Sequence, residues 1–410
     1  MQAPSEQTVR GPELPLPRRA EIVVGVHGDP DAAEAVRTGH RISRQLGAVY
    51  RDRSAVVLLL GDGEQAAPIA PVATRTTLPP IPLLPWSHPG RSPLEAVLRA
   101  AEDFDAAACV LVAAEGGESP IDSARQLVAP ILDEGHDLVC PCYATHRFEG
   151  VLSTGIVYPL TRAVFGKRLR QPIGDELAVS RRLAAYLLGE AWHADPAHAG
   201  DFVWLVTAAL AREFRVCQAQ LGARPRHLPE ADADLAASLA HVVGLLFHEM
   251  RQHASRWQRV KGSQLVKTYG DPVQPNAEAG QPQIAAMLSA FQLGFQELGR
   301  LWGTVLPPQT LLALKRLTGA PAETFCLDDG LWARIVYDFA VGYHLALMDR
   351  PLLLRSMTPL YLGWAAGFVR EVRDLDPPAV NARVERLCRA FEVAKPYLIS
   401  RWRWPDRFNP

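Results

Sequence analysis

The stretch Ser54-Ala-Val-Val-Leu-Leu-Leu60 is an almost unbroken apolar run that ends in the turn Gly61-Asp-Gly-Glu64. Helical patterns separate it from three similar runs, Glu21-Ile-Val-Val-Gly-Val26, Ala107-Ala-Cys-Val-Leu-Val-Ala113 and Leu138-Val-Cys-Pro-Cys-Tyr143. Strands that are apolar on both faces and alternate with helices form a mostly parallel sheet that helices cover on both sides. The first half of the chain is therefore predicted to be α/β, with ligand-binding loops beyond the carboxyl ends of its strands.

The pattern changes after about residue 230, where apolar residues recur at helical spacing and strand patterns disappear. The predicted helices there are Asp232–Val260, Gln283–Leu301, Pro308–Thr318, Asp328–Met348, Met357–Arg373 and Val380–Tyr397. Residues 1–19, rich in proline and charge, are predicted to be a disordered lead-in. The expected organisation is this lead-in, an α/β domain over 20–228 and a helical domain over 229–410.

One segment of the α/β part fits neither element. Pro79-Pro-Ile-Pro-Leu-Leu-Pro85 has too many prolines for a helix or a central strand. It is predicted to be a rigid connection that leads to Trp86 and Arg91.

Composition excludes several classes of protein. The 43 Lys and Arg balance 44 Asp and Glu, which argues against a non-specific nucleic-acid binder. No apolar run reaches the roughly 20 residues of a membrane-spanning helix. The amino-terminal residues lack the apolar stretch of a signal peptide. A cytoplasmic protein is expected.

A longer segment resembles a known family. Val157-Tyr-Pro-Leu-Thr-Arg-Ala-Val-Phe-Gly-Lys-Arg-Leu-Arg-Gln-Pro-Ile-Gly-Asp-Glu-Leu-Ala-Val-Ser180 is similar to a signature of bacterial family 2 glycosyltransferases with a GT-A fold. Phe214-Arg-Val-Cys-Gln-Ala-Gln-Leu-Gly222 and Phe391-Glu-Val-Ala-Lys-Pro-Tyr-Leu398, with Arg401-Trp402, resemble further segments of the mannosylglycerate and glucosylglycerate synthases. The resemblance implies a UDP- or GDP-linked sugar donor at the carboxyl edge of the sheet and a small-molecule acceptor beside it.

Two segments carry the expected donor contacts. Asp62 and Gly63 resemble part of an Asp-Gly-Gly-Ser motif of the family. The Asp62 carboxylate is therefore expected to bind the base or ribose of the donor nucleotide. The alternative is an ordinary turn aspartate. Arg91 stands where the family has a lysine, just before a predicted helix, and can bind the diphosphate through its guanidinium.

The metal motif of the family is incomplete in this chain. The aligned residues are Ala113-Ala114-Glu115 instead of Asp-any-Asp. Arg226 replaces the family's histidine ligand, with His227 one residue later. Glu115 and His227 are thus the candidate ligands for Mg²⁺ or Mn²⁺, and they make a thin shell for such an ion. Either Arg226 supplies the cation for the donor, or catalysis has been lost.

The acid–base and acceptor residues come from two further segments. Asp201 and Glu176 are the candidate catalytic carboxylates, although Asp201 is displaced by one position and is alternatively a helix cap. The predicted acceptor-binding residues, which follow the basic Lys167 and Arg168, are Arg170, Gln171, Gly174 and Asp175.

The predicted function is sugar transfer, as by a hexosyltransferase, from a nucleotide-sugar to a small hydroxylated acceptor, an acidic one such as glycerate by analogy. The alternative is an inactive GT-A scaffold with a binding or regulatory role. A homo-oligomer is left open. His241 and His248 share one face of a predicted helix and are interpreted as ordinary helix histidines.

Overall fold

A computed structural model of the chain describes residues 19–28, 32–61, 81, 83–87, 91–114, 123–174, 176–195, 197–223, 233–273 and 282–405. Its strands are β1 (Ile22–His27), β2 (Ala55–Gly61), β3 (Leu83–Ser87), β4 (Ala108–Ala113), β5 (Leu138–Ala144), β6 (Lys167–Arg168), β7 (Leu177–Ser180), β8 (Val216–Ala223), β9 (Gln264–Leu265) and β10 (Thr268–Tyr269).

The helices divide between the two halves of the chain. Those before residue 230 are α1 (Ala32–Val49), α2 (Pro93–Asp103), α3 (Ser123–Leu132), α4 (Tyr158–Phe165), α5 (Arg181–Tyr186), α6 (Trp192–Ala194) and α7 (Phe202–Ala211). Those after it are α8 (Ala233–Gln252), α9 (Ala254–Trp257), α10 (Ile284–Val305), α11 (Pro308–Thr318), α12 (Asp329–Leu345), α13 (Arg350–Ser356), α14 (Thr358–Val372) and α15 (Pro377–Arg403). Single π-helical turns precede α4 (Ser153–Val157) and join α5 to α6 (Leu187–Ala191).

Eight strands form one sheet in the order β10-β8-β5-β7-β4-β1-β2-β3. Only β7 runs antiparallel to its neighbours β4 and β5. The residues of β1 from Ile22 to Val26 are buried, as expected for a strand that helices cover on both faces. The predicted fold class is confirmed: a mostly parallel sheet flanked by helices, followed by a helical carboxyl-terminal part.

Two predictions about strands are wrong. The end of the proline-rich stretch belongs to an edge strand, β3, because Pro85 is tolerated where no described strand pairs with the far side of β3. Strands also continue after residue 230, since β9 pairs with β6 and β10 adds to the sheet beside β8. Each of these late strands has only two residues, too short for a period-2 pattern.

Among the contacts that join the sheet part to the helical part, two sets lie at α4 and at α8. The first, here called the α4 joint, consists of the contacts that Gly155 and Arg162 make with α12, α14 and α15. The Gly155 carbonyl accepts a hydrogen bond from Trp332 Nε1 at 2.9 Å, and a Cβ at Gly155 would lie 2.1 Å from the ring of Trp364. Only glycine fits there without displacement.

Arg162 completes the α4 joint from within the family-like signature. Its side chain is 1% exposed and donates to Glu385 at 2.6 Å and to Glu392 at 2.9 Å. Burial opposes the charge of the guanidinium, but the hydrogen bonds to Glu392 and Glu385 outweigh it and raise the pKa of Arg162. The second set, here called the α8 joint, connects residues 195–201 to α8.

Among the helices that the structure describes, none combines the length and apolar character needed to cross a membrane.

Candidate functional site

Several predicted site residues lie outside the described residues, and their predicted roles stay predictions: Asp62, Gly63, Glu115, Asp175, Arg226 and His227.

The corner where the family's metal motif is expected lies at the ends of β1 and β4. His27 is in register with Ala113, and Ala114 N donates to the His27 carbonyl at 2.5 Å. A Cβ at Gly28 would lie 2.8 Å from Ala114 Cβ, so the two loops approach closely. The methyl side chains of Ala113 and Ala114 cannot ligate a cation, so these two residues do not fit the metal that the resemblance implies.

The predicted acceptor segment converges on the end of β5. Gln171 brackets Tyr143, accepting from its backbone N–H at 2.7 Å and donating to its carbonyl at 3.2 Å. Glu176 accepts from the Tyr143 hydroxyl at 2.6 Å. A Cβ at Gly174 would lie 2.5 Å from Pro141, so the chain crosses β5 without room for a side chain. Tyr143, which the sequence analysis did not single out, organises this segment.

Arg170 is held slightly apart from that convergence. Its backbone N–H donates to Gln218 at 3.0 Å, and its guanidinium lies 5.3 Å from the centre of the Tyr158 ring. The side chain therefore packs beside α4.

Arg91 lies at the amino-terminal end of α2. Ser92 caps this helix by accepting from Glu95 N at 3.1 Å, and Pro93 follows at the first helical position. The Arg91 side chain is 52% exposed and lies 3.6 Å from the Glu95 carboxylate. A guanidinium and the start of a helix both favour an anion at this place.

Gly200, the residue before Asp201, contacts the start of α2. Ser92 Oγ donates to the Gly200 carbonyl at 3.3 Å, and Gly200 has a φ of +92° that favours glycine. The Phe202 ring lies 6.5 Å from that of His27, at the end of β1. The segment 200–202 therefore lies over the carboxyl edge of the sheet.

The Asp201 carboxylate has two partners. Oδ1 accepts from Val203 N at 2.8 Å and caps α7, as the capping alternative predicted. Oδ2 lies 3.1 Å from Nε2 of His241 on α8, and the His241 side chain is 65% exposed. The one carboxylate therefore both starts a helix and orients an imidazole.

A cavity of about 520 Å³ opens beside this pair. It lies between the segment 197–201 and helices α8, α12 and α13; its polar lining includes His198, Asp201, His241, Tyr343 and Arg350. Burial raises the pKa of Tyr343, whose hydroxyl therefore stays protonated. Arg350 stacks on the Tyr343 ring at 4.6 Å, and its Nε is buried with no hydrogen-bond partner in the described structure.

His241 and Arg350 were not predicted from the sequence as site residues. The shared helix face of His241 and His248 was the available signal, and both side chains do reach the segment 195–201. Arg350 carried no signal, because its helix α13 was not predicted at all.

No family model matches the chain, and no curated protein matches it. Among solved structures it is similar to the glucosyl-3-phosphoglycerate synthase of Mycobacterium tuberculosis in complex with Mn²⁺, UDP-glucose and phosphoglyceric acid. That likeness has 18% identity over 56% of this chain and 79% of the other, with a TM-score of 0.33. A mannosyltransferase of Pyrobaculum calidifontis, in complex with GDP-mannose and Mn²⁺, is 15% identical over 95% of this chain and 88% of its own, with a TM-score of 0.31.

Proposed function

We propose that the protein is a glycosyltransferase that transfers a sugar from a UDP- or GDP-linked donor to a small acidic acceptor. The observation that carries the proposal is the cavity, which combines the Asp201–His241 pair with the unpartnered Nε of Arg350 beside the carboxyl edge of the sheet. Ligands of open α/β sheets bind at this edge.

His241 is the general base in this proposal. The carboxylate of Asp201 at Nε2 favours the tautomer that carries its proton there, so that Nδ1 keeps the lone pair. Nδ1 can then accept the proton of an acceptor hydroxyl as that oxygen attacks the anomeric carbon of the donor. The bond between this carbon and the diphosphate oxygen breaks, and the nucleoside diphosphate leaves as an anion. Asp201 thereby acts through His241 as a positioning residue.

Arg350 recognises the acidic group of the acceptor. The residue lines the cavity, while its Nε is buried with no hydrogen-bond partner among the described residues. The planar guanidinium presents several donors to a carboxylate or phosphate.

The donor occupies the carboxyl edge of β1, β2 and β4 in this proposal. Arg91 and the start of α2 face the diphosphate, and Asp62 and Gly63 remain the expected contacts to base and ribose. No step of this reaction involves a metal at Ala113.

Glu176, held by Tyr143, borders the acceptor segment with Gln171 and Gly174. Cytoplasmic location remains a prediction from the sequence.

The experiment combines binding with transfer. Calorimetry with UDP and GDP, without added metal and with Mg²⁺ or Mn²⁺, identifies the nucleotide. Transfer is then measured from the matching sugar donors to glycerate and phosphoglycerate. We expect His241→Gln to lower kcat by about 10²- to 10³-fold with little change in KM. Arg350→Met raises the KM for the acceptor instead.

His193→Gln is the matched control, because His193 is an exposed helix histidine that contacts only the Gly189 carbonyl among the described atoms around it. Equal losses in His193→Gln and His241→Gln would contradict the assignment of the base.

A second function has one observation in its favour. Ala113 and Ala114 occupy the corner where the family holds its metal. Under this alternative the protein is an inactive scaffold that binds a partner or ligand. Absence of nucleotide binding under every metal condition would establish the alternative over the transferase.

A further inference from the structure

Three side chains at the α8 joint form a cluster that the proposed reaction does not use. Asp195 Oδ1 lies 3.0 Å from His198 Nδ1, and Asp195 Oδ2 lies 2.8 Å from Nε2 of His248 on α8. The two imidazole rings stack with their centroids 3.9 Å apart. One carboxylate thus gathers two imidazoles from separate segments of the chain.

Nε2 of His248 faces two neighbouring groups. The amide Nε2 of Gln252 lies 3.2 Å from His248 Nε2, the same atom that faces the Asp195 carboxylate. If that ring nitrogen carries a proton, it opposes the amide donor; if it carries a lone pair, it opposes the carboxylate. Turning the amide so that its oxygen faces Nε2 removes the conflict, and the two oxygens then suit either a ring proton or a cation at this nitrogen.

The donor set and its spacing suit a transition-metal ion. One atom each from Asp195, His198 and His248 lie within 4.8 Å of one another. Ligands at about 2.0–2.2 Å around a tetrahedral ion stand roughly 3.4 Å apart, so small side-chain adjustments admit the ion. Two imidazoles and a carboxylate favour Zn²⁺ or a similar first-row dication over Mg²⁺ or Ca²⁺.

The surroundings of the cluster support an open coordination position. The side chains of His248 and Asp195 are 10% and 14% exposed, whereas that of His198 is 30% exposed and lines the 520 Å³ cavity. Two ligands are therefore anchored in the protein and the third faces a space that holds water or ligand. Three protein ligands with one open position are typical of a reactive metal site.

We propose that Asp195, His198 and His248 bind a first-row transition-metal dication. This site is separate from the corner at Ala113 where the family motif is incomplete. The proposal does not depend on the glycosyltransferase activity, and its test measures metal binding only.

The experiment is calorimetric titration of the untagged, chelator-stripped full-length chain with Zn²⁺, with Co²⁺ titrated in parallel for its visible absorption. A Cys326→Ser background removes an exposed thiol, since thiolates are themselves zinc ligands. We expect one site whose affinity falls by more than about 100-fold in His198→Ala and in His248→Gln, because even outer-shell changes cost about 10- to 100-fold.

His253→Ala is the matched control, since His253 lies just beyond α8 and pairs with Glu249 instead. It should bind the ion as the parent does. His198→Ala guards against misfolding, because this ligand lies on the cavity wall and its loss leaves the buried His248 in place. Binding that is absent from the parent, or equal in the parent, His198→Ala and His248→Gln, would overturn the site.

Discussion

The α4 joint and the α8 joint both connect the sheet to the helices, but their polar groups differ in burial and in hydrogen bonding. At the α4 joint, Arg162 is buried and its donors meet two glutamates, a serine and a tyrosine hydroxyl. At the α8 joint, His248 faces an acceptor and a donor with one nitrogen, and His241 is exposed to a cavity. Buried polar groups that serve stability are usually satisfied within the protein. Imidazoles that line a cavity, as those of His198 and His241 do, are instead available to a ligand.

The largest expected effect comes from removing Arg162. Arg162→Met leaves two carboxylates without their buried partner, and we expect the free energy of unfolding to fall by about 3 kcal/mol. Breaking a buried ion pair usually costs about 3–5 kcal/mol. We expect the lower end of this range because the side chain of Glu385 is 36% exposed. Urea unfolding followed by circular dichroism measures the change.

The comparison predicts that His241→Gln changes the same free energy by less than about 1 kcal/mol, as for an exposed ion pair. Similar losses in Arg162→Met and His241→Gln would erase the distinction between the two joints.

Gly155 tests the packing of the α4 joint. In Gly155→Ala the new methyl would overlap the ring of Trp364, and we expect a loss of about 1–3 kcal/mol. At Gly189, also within a π-helical turn, a Cβ would meet nothing within 4 Å. Gly189→Ala should therefore stabilise the protein by about 0.4–1 kcal/mol. Thermal unfolding of the two variants, measured side by side with the parent, tests both expectations. If Gly155→Ala were as stable as the parent, the helices around Gly155 would be able to move apart.

Glu385 gives the smallest effect, a dependence on pH. Burial opposes its charge, but the hydrogen bond with Arg162 prevails and lowers the pKa of Glu385 below its ordinary value of 4.5. Its stabilising contribution is present above that value and is lost as the pH falls through the lowered pKa. Between about pH 6 and about pH 3 the parent should lose up to about 1 kcal/mol more than Glu385→Gln, because solvent screens the partly exposed pair.

Urea unfolding at both pH values measures this difference. Glu190→Gln, which breaks the exposed pair with Arg212, is the control and should follow the parent. A pH dependence in Glu385→Gln equal to that of the parent would contradict the role of this carboxylate.

The sequence was sufficient to predict those strands and helices that a local pattern of residues determines by itself. The four apolar runs became β1, β2, β4 and β5, because a continuous apolar run between helices has few alternatives. Helix α11 was predicted with its bounds, Pro308–Thr318, since proline begins it and Gly319 follows it. Strand β10 was missed because its two residues form a strand only by pairing with β8, which is distant in the sequence.

The site was predictable only in part for the same reason. The spacing of His241 and His248 placed both on one face of a helix. It could not identify partners that precede them by 40 and 53 residues in the chain. Gln171 and Glu176 were found through the resemblance, whereas Tyr143, which they both contact, lies on a strand whose pattern signals only burial.

The two residues of β10 have a consequence for dissecting the chain. After β8 the polypeptide leaves the sheet, forms α8 and α9, and returns to cover the outer edge of β8. A fragment cut near residue 228 would leave β8 as a bare edge with unpaired backbone groups, a template for association with other chains. It would also lose α8 and with it one wall of the cavity. The sheet and the following helices are best handled as one inseparable piece in expression, crystallisation or domain exchange.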